Sequence, residues 1–291
     1  MTVRLEGRPI ADALNATSRA AIASGLSPTL ASVHRDVESP FSFYLRGQAK
    51  AAQALGIGFR DEGVPLGEGP EGLRRRLRAL DTDERVDAIL LEHPLPAPFD
   101  FRAAISLVRL EKDVDGVSPA SLGRLADQAP MHVPAVALAA LEIARHYGLP
   151  IEGERVAVVG RSETVGLPLA LLLARRAPSA NATVTIAHSR TKDLAAALAG
   201  QRTIFSCAGR PGLLTRKVVP EGAAVVDVGL SSVADPSRPS GQRAVGDADY
   251  ADLEGWASGV TPVPGGVGPV TVAELMASVV RAYRFRRGEA T

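Results

Sequence analysis

Apolar and polar positions along this chain alternate between two periods. Short, nearly continuous apolar runs are followed by longer segments whose apolar residues recur every three or four positions. That succession of strand-like and helix-like patterns marks an α/β protein with parallel sheets. In the first half, residues 10–24, 43–56, 71–83, 101–108 and 133–148 read as helices, 28–33 as a strand, and 86–96 as a strand running into a Pro-rich turn. The second helix ends at Gly56, a residue suited to the left-handed position after a helix. The segment EKDVDGVSP, 111–119, reads as a polar loop. The second half is more regular, with strands expected at 155–160, 183–189, 203–209 and 222–229 and helices at 167–177 and 193–200. From about 152 to 260 this is the doubly wound pattern. Residues 231–242, SSVADPSRPSGQ, read as an exposed polar loop, and 271–285 as a final helix.

Composition narrows the class. The chain has 291 residues, 46% of them hydrophobic, enough for one large domain or two of ordinary size. With 33 basic against 32 acidic residues, nothing points to a nucleic-acid partner. No apolar run is long enough to span a membrane, and the N-terminus lacks a signal-peptide pattern. The single cysteine, Cys207, excludes an internal disulfide and fits a cytoplasmic location. It is expected as a small core residue of the 203–209 strand. The five histidines show no paired ligand spacing, so no metal site is expected. Only Lys50, Lys112, Lys192 and Lys217 are lysine. A compositional bias of that kind exchanges Lys for Arg, not for Gln.

The sharpest motif is VAVVGRSETVGLP, 156–168. A buried strand ends at Gly160, turns through Arg161 and Ser162, and enters a helix near Gly166. Glycines there allow a tight turn and a close approach of backbone N–H groups to phosphate at a helix N-terminus. Ser162 stands where the dinucleotide fingerprint has its middle glycine, so a ligand-free βα turn remains an alternative. The next strand runs into His188-Ser189-Arg190-Thr191 with no acid to bind a ribose diol. Arg161, Ser189 and Arg190 suit a 2′-phosphate instead, which favours NADP over NAD, unless the arginines are merely solvated. Residues 260–273, VTPVPGGVGPVTVA, place Pro264-Gly265-Gly266 where bare backbone can approach a flat ligand or make a rigid connection.

With these motifs, the chain resembles the bifunctional methylenetetrahydrofolate dehydrogenase/methenyltetrahydrofolate cyclohydrolase family. TPVPGGVGPVT carries most of the likeness. GRSETVGLP, AHSRT, AGRPG, VVDVG, VGDADY, EKDVDG and LLEHPLP follow the family's pattern over most of the chain. The resemblance implies a Rossmann-type NADP domain, 144–267, and an α/β catalytic domain, 1–143 and 268–291, completed by the C-terminal helix. It also implies a homodimer, a tetrahydrofolate-type substrate, and cofactor contacts at Gly160, Arg161, Ser162, Gly166, Ser189, Arg190, Gly265 and Thr271. Tyr44, His93, Asp115, Pro264 and Gly265 are the implied substrate contacts, and Tyr44, Gln48, Glu92 and Asp115 occupy the catalytic positions.

Several positions depart from the family's pattern. Tyr44 matches the family's tyrosine, but the catalytic lysine four residues later is Gln48. Lys50 falls on a different helix face. The family's glutamine is Glu92, the leucine after it is His93, and its PCTP motif is PAVA, Pro134 to Ala137. Pro40 and Ser42 match only loosely. If Gln48 and Glu92 face one pocket, its charge falls by two units. An ionised Glu92 then suits a methenyl cation, while glutamine lacks the proton that ring opening requires. His93 stands either as a base or as a space-filler, Glu92 as a site acid or a solvated one, and Asp115 as a pterin-binding acid or a turn residue. The expected activity is hydride transfer to NADP⁺ with weak or absent cyclohydrolase activity. A paralogue with another substrate and a non-catalytic binder are the alternatives.

Overall fold

The computed structural model describes residues 1–35, 42–238 and 241–289; the side chains of Ser42, Phe43, Tyr44 and Leu66 lie outside this description. Its first half runs β1 (Val3–Arg4), α1 (Arg8–Ala23), β2 (Thr29–Arg35), α2 (Ser42–Leu55), β3 (Gly58–Val64), α3 (Gly69–Thr82), β4 (Ala88–Leu91), α4 (Phe101–Ile105), α5 (Pro119–Ala126) and α6 (Ala135–His146). The second runs β5 (Arg155–Val159), α7 (Gly166–Ala174), β6 (Thr183–Ala187), α8 (Leu194–Leu198), β7 (Thr203–Ser206), β8 (Ala224–Asp227), β9 (Ser231–Ala234), β10 (Gln242–Val245), α9 (Tyr250–Leu253), β11 (Gly259–Val260) and α10 (Val267–Arg286). Two compact units form, one from residues 12–135 and 272–291, the other from 1–11 and 136–271.

The first unit is built on a parallel sheet of order β3-β2-β4. β2 and β4 are buried on both faces, hence their apolar runs. Leu30, Ala88 and Leu90 face α2 (Ala52, Leu55) and the C-terminal helix α10 (Leu275, Met276, Val279). Ala31, Val33, Ile89 and Leu91 face Leu73, Leu77 and Leu80 of α3. The terminal helix thus completes this unit's core, as expected. β3 was not expected, because its sequence GFRDEGV reads as polar. Its charges are paired: Glu62 accepts from Arg60 Nε at 2.9 Å and from Arg76 Nη1 at 2.5 Å. α5 was also missed, although Ser118 caps it and Pro119 occupies its first turn.

The second unit holds a six-stranded parallel sheet of order β1-β11-β8-β7-β5-β6. The expected α/β class and doubly wound pattern are therefore observed. Residues 1–11 belong to this unit, in contrast to their expected place in the other. The reason is backbone pairing, with Val3 N donating to Ser258 O and Leu5 N to Val260 O. The segment 231–242, expected as a loop, carries β9 and, with residues to 245, β10 of an antiparallel hairpin. The strand expected within 86–96 ends at Leu91, ahead of its Pro-rich turn, and the final helix starts four residues earlier than expected, at Val267. Cys207 lies just beyond β7 and is only partly buried, not a core residue. No described helix is long and apolar enough to cross a membrane.

Candidate active site

In the first unit, Val33 of β2 lies opposite Leu91 of β4. Glu92 N continues the ladder by donating to Val33 O at 2.9 Å. Side chains alternate along a strand, so Ser32, His34 and Glu92 share the face that carries Leu30 and Leu90 toward α2. α2 brings Gln48 to the same place. Gln48 Nε2 donates to Glu92 Oε1 at 2.8 Å, and Ser32 Oγ lies 3.1 Å from that oxygen and 3.2 Å from Gln48 Oε1. Gln48 is fully buried and Glu92 partly so, while Lys50 is exposed on another face of α2. Glu92 is therefore not a solvated strand-end acid. Burial raises its pKa above the ordinary value, partly opposed by the hydrogen bonds from Gln48 and Ser32 and by the charge of His34.

The KDVDG loop divides its labour among three charged residues. Lys112, wholly buried, donates from Nζ to the carbonyls of Leu80, Asp81 and Asp83 at 2.8–3.0 Å, closing the end of α3. Asp113, also buried, accepts from Ser118 N at 2.9 Å and Ser121 Oγ at 2.6 Å at the start of α5. These two anchor the loop. Asp115 accepts from Ala135 N, the first residue of α6, at 3.3 Å. Burial pushes it up to about 7; the Ala135 N–H opposes this, and the charges of Asp113 and Glu92 add to it. Asp113 makes the turn, and Asp115 is the loop carboxyl with proton-binding capacity near neutrality.

The other substrate-side residues are less gathered. Tyr44 lies on α2, but its side chain is outside the described residues, as is Pro40. His93 is exposed, its ring edge-on to Phe101 at 4.7 Å, so it does not fill a buried space. Pro134 and Ala137 are buried at the start of α6. Ser32, His34 and Asp61 were missed. Their signal is the two-residue alternation of β2 and β3, which sets all three on the face of Glu92. His34 Nε2 lies 2.6 Å from Asp61 Oδ1.

In the second unit, the chain leaves β5 for the edge strand β6 and returns to β7 on the other side of β5. That reversal creates a crevice at the carboxyl ends of β5 and β7. Gly160 sits there with φ +128°, and a Cβ on it would come 2.5 Å from Cys207 O. A Cβ on Gly166, which opens α7, would come 2.4 Å from Gly160 O. Only glycine fits either position, and within the turn they form Leu167 N donates to Ser162 O at 2.9 Å. Ser162 Oγ accepts from Gly166 N at 3.4 Å. At the end of β6, His188 N donates to Thr191 Oγ1 at 2.9 Å and Arg190 N to His188 Nδ1 at 3.1 Å, a closed turn that leaves Ser189 and Arg190 exposed. Arg161 is exposed as well. This cradle and its free guanidinium groups fit a dinucleotide carrying an extra phosphate.

Two buried acids at this sheet's carboxyl edge also went unassigned. Asp247 accepts from Ser206 Oγ at 2.8 Å and from Ala208, Gly209 and Arg210 N–H groups at 2.6–3.2 Å, fixing the AGRPG loop. Asp227 accepts from Gly229, Asp247 and Ala248 N–H groups at 2.7–3.0 Å, and burial raises it to about 6. A cavity of ≈ 500 Å³ beside them is lined by Asp227, Thr261 and Val263 and by Val233 and Arg243 of the hairpin. None of the expected phosphate-binding residues lines it. Gly265, at φ +114°, follows a cis Val263–Pro264 peptide and accepts from Gly7 N at 2.9 Å. Thr271 Oγ1 donates within α10 to Val267 O. No cluster of metal-ligating side chains occurs among the described residues.

Residues 5–115 match the model of the tetrahydrofolate dehydrogenase/cyclohydrolase catalytic domain, and 134–287 that of the family's NAD(P)-binding domain. The bifunctional protein FolD of Nocardia farcinica is 42% identical over 99% of both chains. That of Chloroflexus aurantiacus is 40% identical over 98% of both. Among solved structures, the Trypanosoma brucei N5,N10-methylenetetrahydrofolate dehydrogenase-cyclohydrolase, complexed with NADP cofactor and inhibitor, superposes with a TM-score of 0.92 at 36% identity, covering 99% of both chains. A methylenetetrahydrofolate dehydrogenase from the silkworm Bombyx mori gives 0.90 at 31%, covering 99% of this chain and 100% of that one.

Proposed function

The chain belongs to the tetrahydrofolate dehydrogenase/cyclohydrolase family, and on that premise we propose that it oxidises 5,10-methylenetetrahydrofolate to 5,10-methenyltetrahydrofolate with NADP⁺ and has weak or absent cyclohydrolase activity. One observation carries the second half of this reading: buried Gln48 spends its amide on Glu92 at 2.8 Å, where the family's pattern has a lysine. Hydride transfer asks chiefly that two reactants be held in line. When bound, the oxidised nicotinamide is the hydride acceptor. Gly160, Ser162 and Gly166 would seat the dinucleotide phosphates, and Arg161, Ser189 and Arg190 its 2′-phosphate. Asp115 would hold the pterin, and an ionised Glu92 would stabilise the cationic product. Opening the methenyl ring needs a group that takes and returns a proton, which Gln48 does not do. Gly265 and Thr271 are placed at the cofactor, and His93, Pro264 and Gly265 beside the substrate, on the family pattern alone.

The reading is tested by measuring NADP⁺ reduction with methylenetetrahydrofolate and, separately, hydrolysis of methenyltetrahydrofolate. Robust NADPH formation with hydrolysis at least tenfold slower is expected. Comparable rates would overturn it. NADP⁺ and folate binding without turnover would favour a non-catalytic binder, and NADP⁺ binding without folate binding a paralogue with another substrate. A homodimer through the NADP unit is also expected, to be checked by sedimentation.

A further inference from the structure

The residue pattern removes a cation at position 48 and adds an anion at position 92, yet a second ionisable group stands beside that anion. Extending the β2–β4 register by one residue places His34 laterally next to Glu92. Neighbouring strands lie about 4.8 Å apart, and residues paired across them point to the same face. The His34 ring has two hydrogen-bond partners. Nε2 lies 2.6 Å from Asp61 Oδ1 and Nδ1 lies 3.0 Å from Arg35 O. A carboxylate and a carbonyl are both acceptors, so satisfying both ring nitrogens requires two N–H donors, which is the imidazolium form.

We propose that His34 is a positioning residue of the active site, an imidazolium held by Asp61 and the Arg35 carbonyl that keeps the neighbouring Glu92 an anion. It returns one of the two units by which the charge of the site falls. The groups that face Glu92 are Ser32 and His34 from β2, Gln48 from α2 and Asp115 from the KDVDG loop. Ser32 and Gln48 are neutral and Asp115 repels, so His34 is the cation of the set. Arg46 and Lys50, the charged residues of the described part of α2, are exposed. Burial works against charge on the His34 ring, but the Arg35 carbonyl, the Asp61 hydrogen bond and the charges of Asp61 and Glu92 outweigh it, and its pKa is raised. The device acts through Glu92 and does not itself touch substrate.

The consequence for catalysis rests on the proposed dehydrogenase activity, but the charge coupling does not. Label the glutamate side-chain carboxyls with ¹³C, assign Glu92 by the signal lost in Glu92→Gln, and titrate it by NMR in the full chain. His34→Gln is expected to raise the Glu92 midpoint by about one pH unit. Asp61→Asn, which leaves the ring in place and removes the charge of its partner, is expected to raise it by a smaller amount and serves also if His34→Gln does not fold. The acid limb of kcat/KM should move with the midpoint, while NADP⁺ affinity stays unchanged. A Glu92 midpoint that stays put in both folded variants overturns the inference. A midpoint that moves in a protein without dehydrogenase activity upholds it and overturns the activity instead.

Discussion

Gln48 and Glu92 share one hydrogen bond whose direction reports the charge on the carboxyl. Gln48 Nε2 donates to Glu92 Oε1 at 2.8 Å, and Ser32 Oγ reaches the same oxygen at 3.1 Å. An ionised carboxylate only accepts, so it suits this arrangement. Protonating Glu92 puts a donor in the same space, and the amide can then turn its oxygen to Glu92 and its nitrogen to Ser32. The amide at position 48 is thus engaged with the carboxyl of residue 92.

Replacing Glu92 by Gln should separate charge from shape. The variant keeps a hydrogen-bonding partner for Gln48 and Ser32 but loses the anion. Hydride-transfer kcat is expected to fall about tenfold or more, with little change in NADP⁺ affinity, as expected where a charge acts on the developing cation. Burial favours the protonated acid in the fold, so the wild-type chain loses stability as pH rises through the folded pKa of Glu92. The variant lacks that loss. Its Tm relative to wild type should therefore improve as pH rises above the ordinary glutamate range, until Glu92 is ionised in the fold, read by thermal melts across a pH series.

Asp115 should impose its own pH dependence on folate binding. It is pushed up to about 7, chiefly by burial. A pterin offers N–H donors, which select the ionised carboxylate, so binding below pH 7 must displace a proton. Folate affinity is expected to weaken toward tenfold per unit as pH falls below 7 and to level off above it. Stability moves the opposite way: Asp115's contribution is full below 3.8 and is lost as pH rises to about 7, up to about 4 kcal/mol in all. Asp115→Asn should flatten both profiles, measured by calorimetric titration and denaturant melts.

Gly160→Ala should damage the cofactor unit directly. The new methyl would lie 2.5 Å from Cys207 O on a backbone at φ +128°. Strain and clash together should cost about 3 kcal/mol and weaken NADP⁺ binding, as read by denaturation midpoints and calorimetry.

Arg190 tests cofactor choice. Its side chain is exposed beside a turn closed by His188 and Thr191. Arg190→Gln should lower NADP⁺ affinity about tenfold to hundredfold, the worth of a charge-assisted hydrogen bond, and leave NAD⁺ affinity nearly unchanged. Equal losses for both cofactors would place Arg190 outside the 2′-phosphate site.

What the sequence made legible was set by how local each signal is. The Gly160–Gly166 turn is a contiguous run, and its glycines are required by contacts within that run and with the adjacent strand. β5 is continuously apolar because it is central. β3 escaped notice because its charges are neutralised by partners such as Arg76, distant in sequence. β1 was placed in the wrong unit because two residues carry no pattern, and its assignment depends on pairing with β11 across the length of the chain. The Ser32–Gln48–Glu92 cluster was half visible. Positions 48 and 92 stood out as departures from a pattern, whereas Ser32, His34 and Asp61 emerge only once strand register puts them on one face.

The last prediction concerns restoring ring opening. Gln48→Lys alone puts an ammonium beside the Glu92 carboxylate, where an ion pair holds the lysine in its protonated form. A lysine locked in one protonation state is a poor proton carrier. Adding Glu92→Gln removes the counter-ion and leaves a neutral hydrogen-bond partner, so the lysine is free to cycle. Methenyltetrahydrofolate hydrolysis should therefore rise less than tenfold in the single variant and about a hundredfold in the double, within the usual range for a positioned acid or base. Both variants are to be assayed beside wild type at matched folate saturation. If the single variant hydrolyses as fast as the double, the charge at position 92 does not govern the proton at position 48. The absence of lysine alone would then account for the weak hydrolysis proposed for this chain.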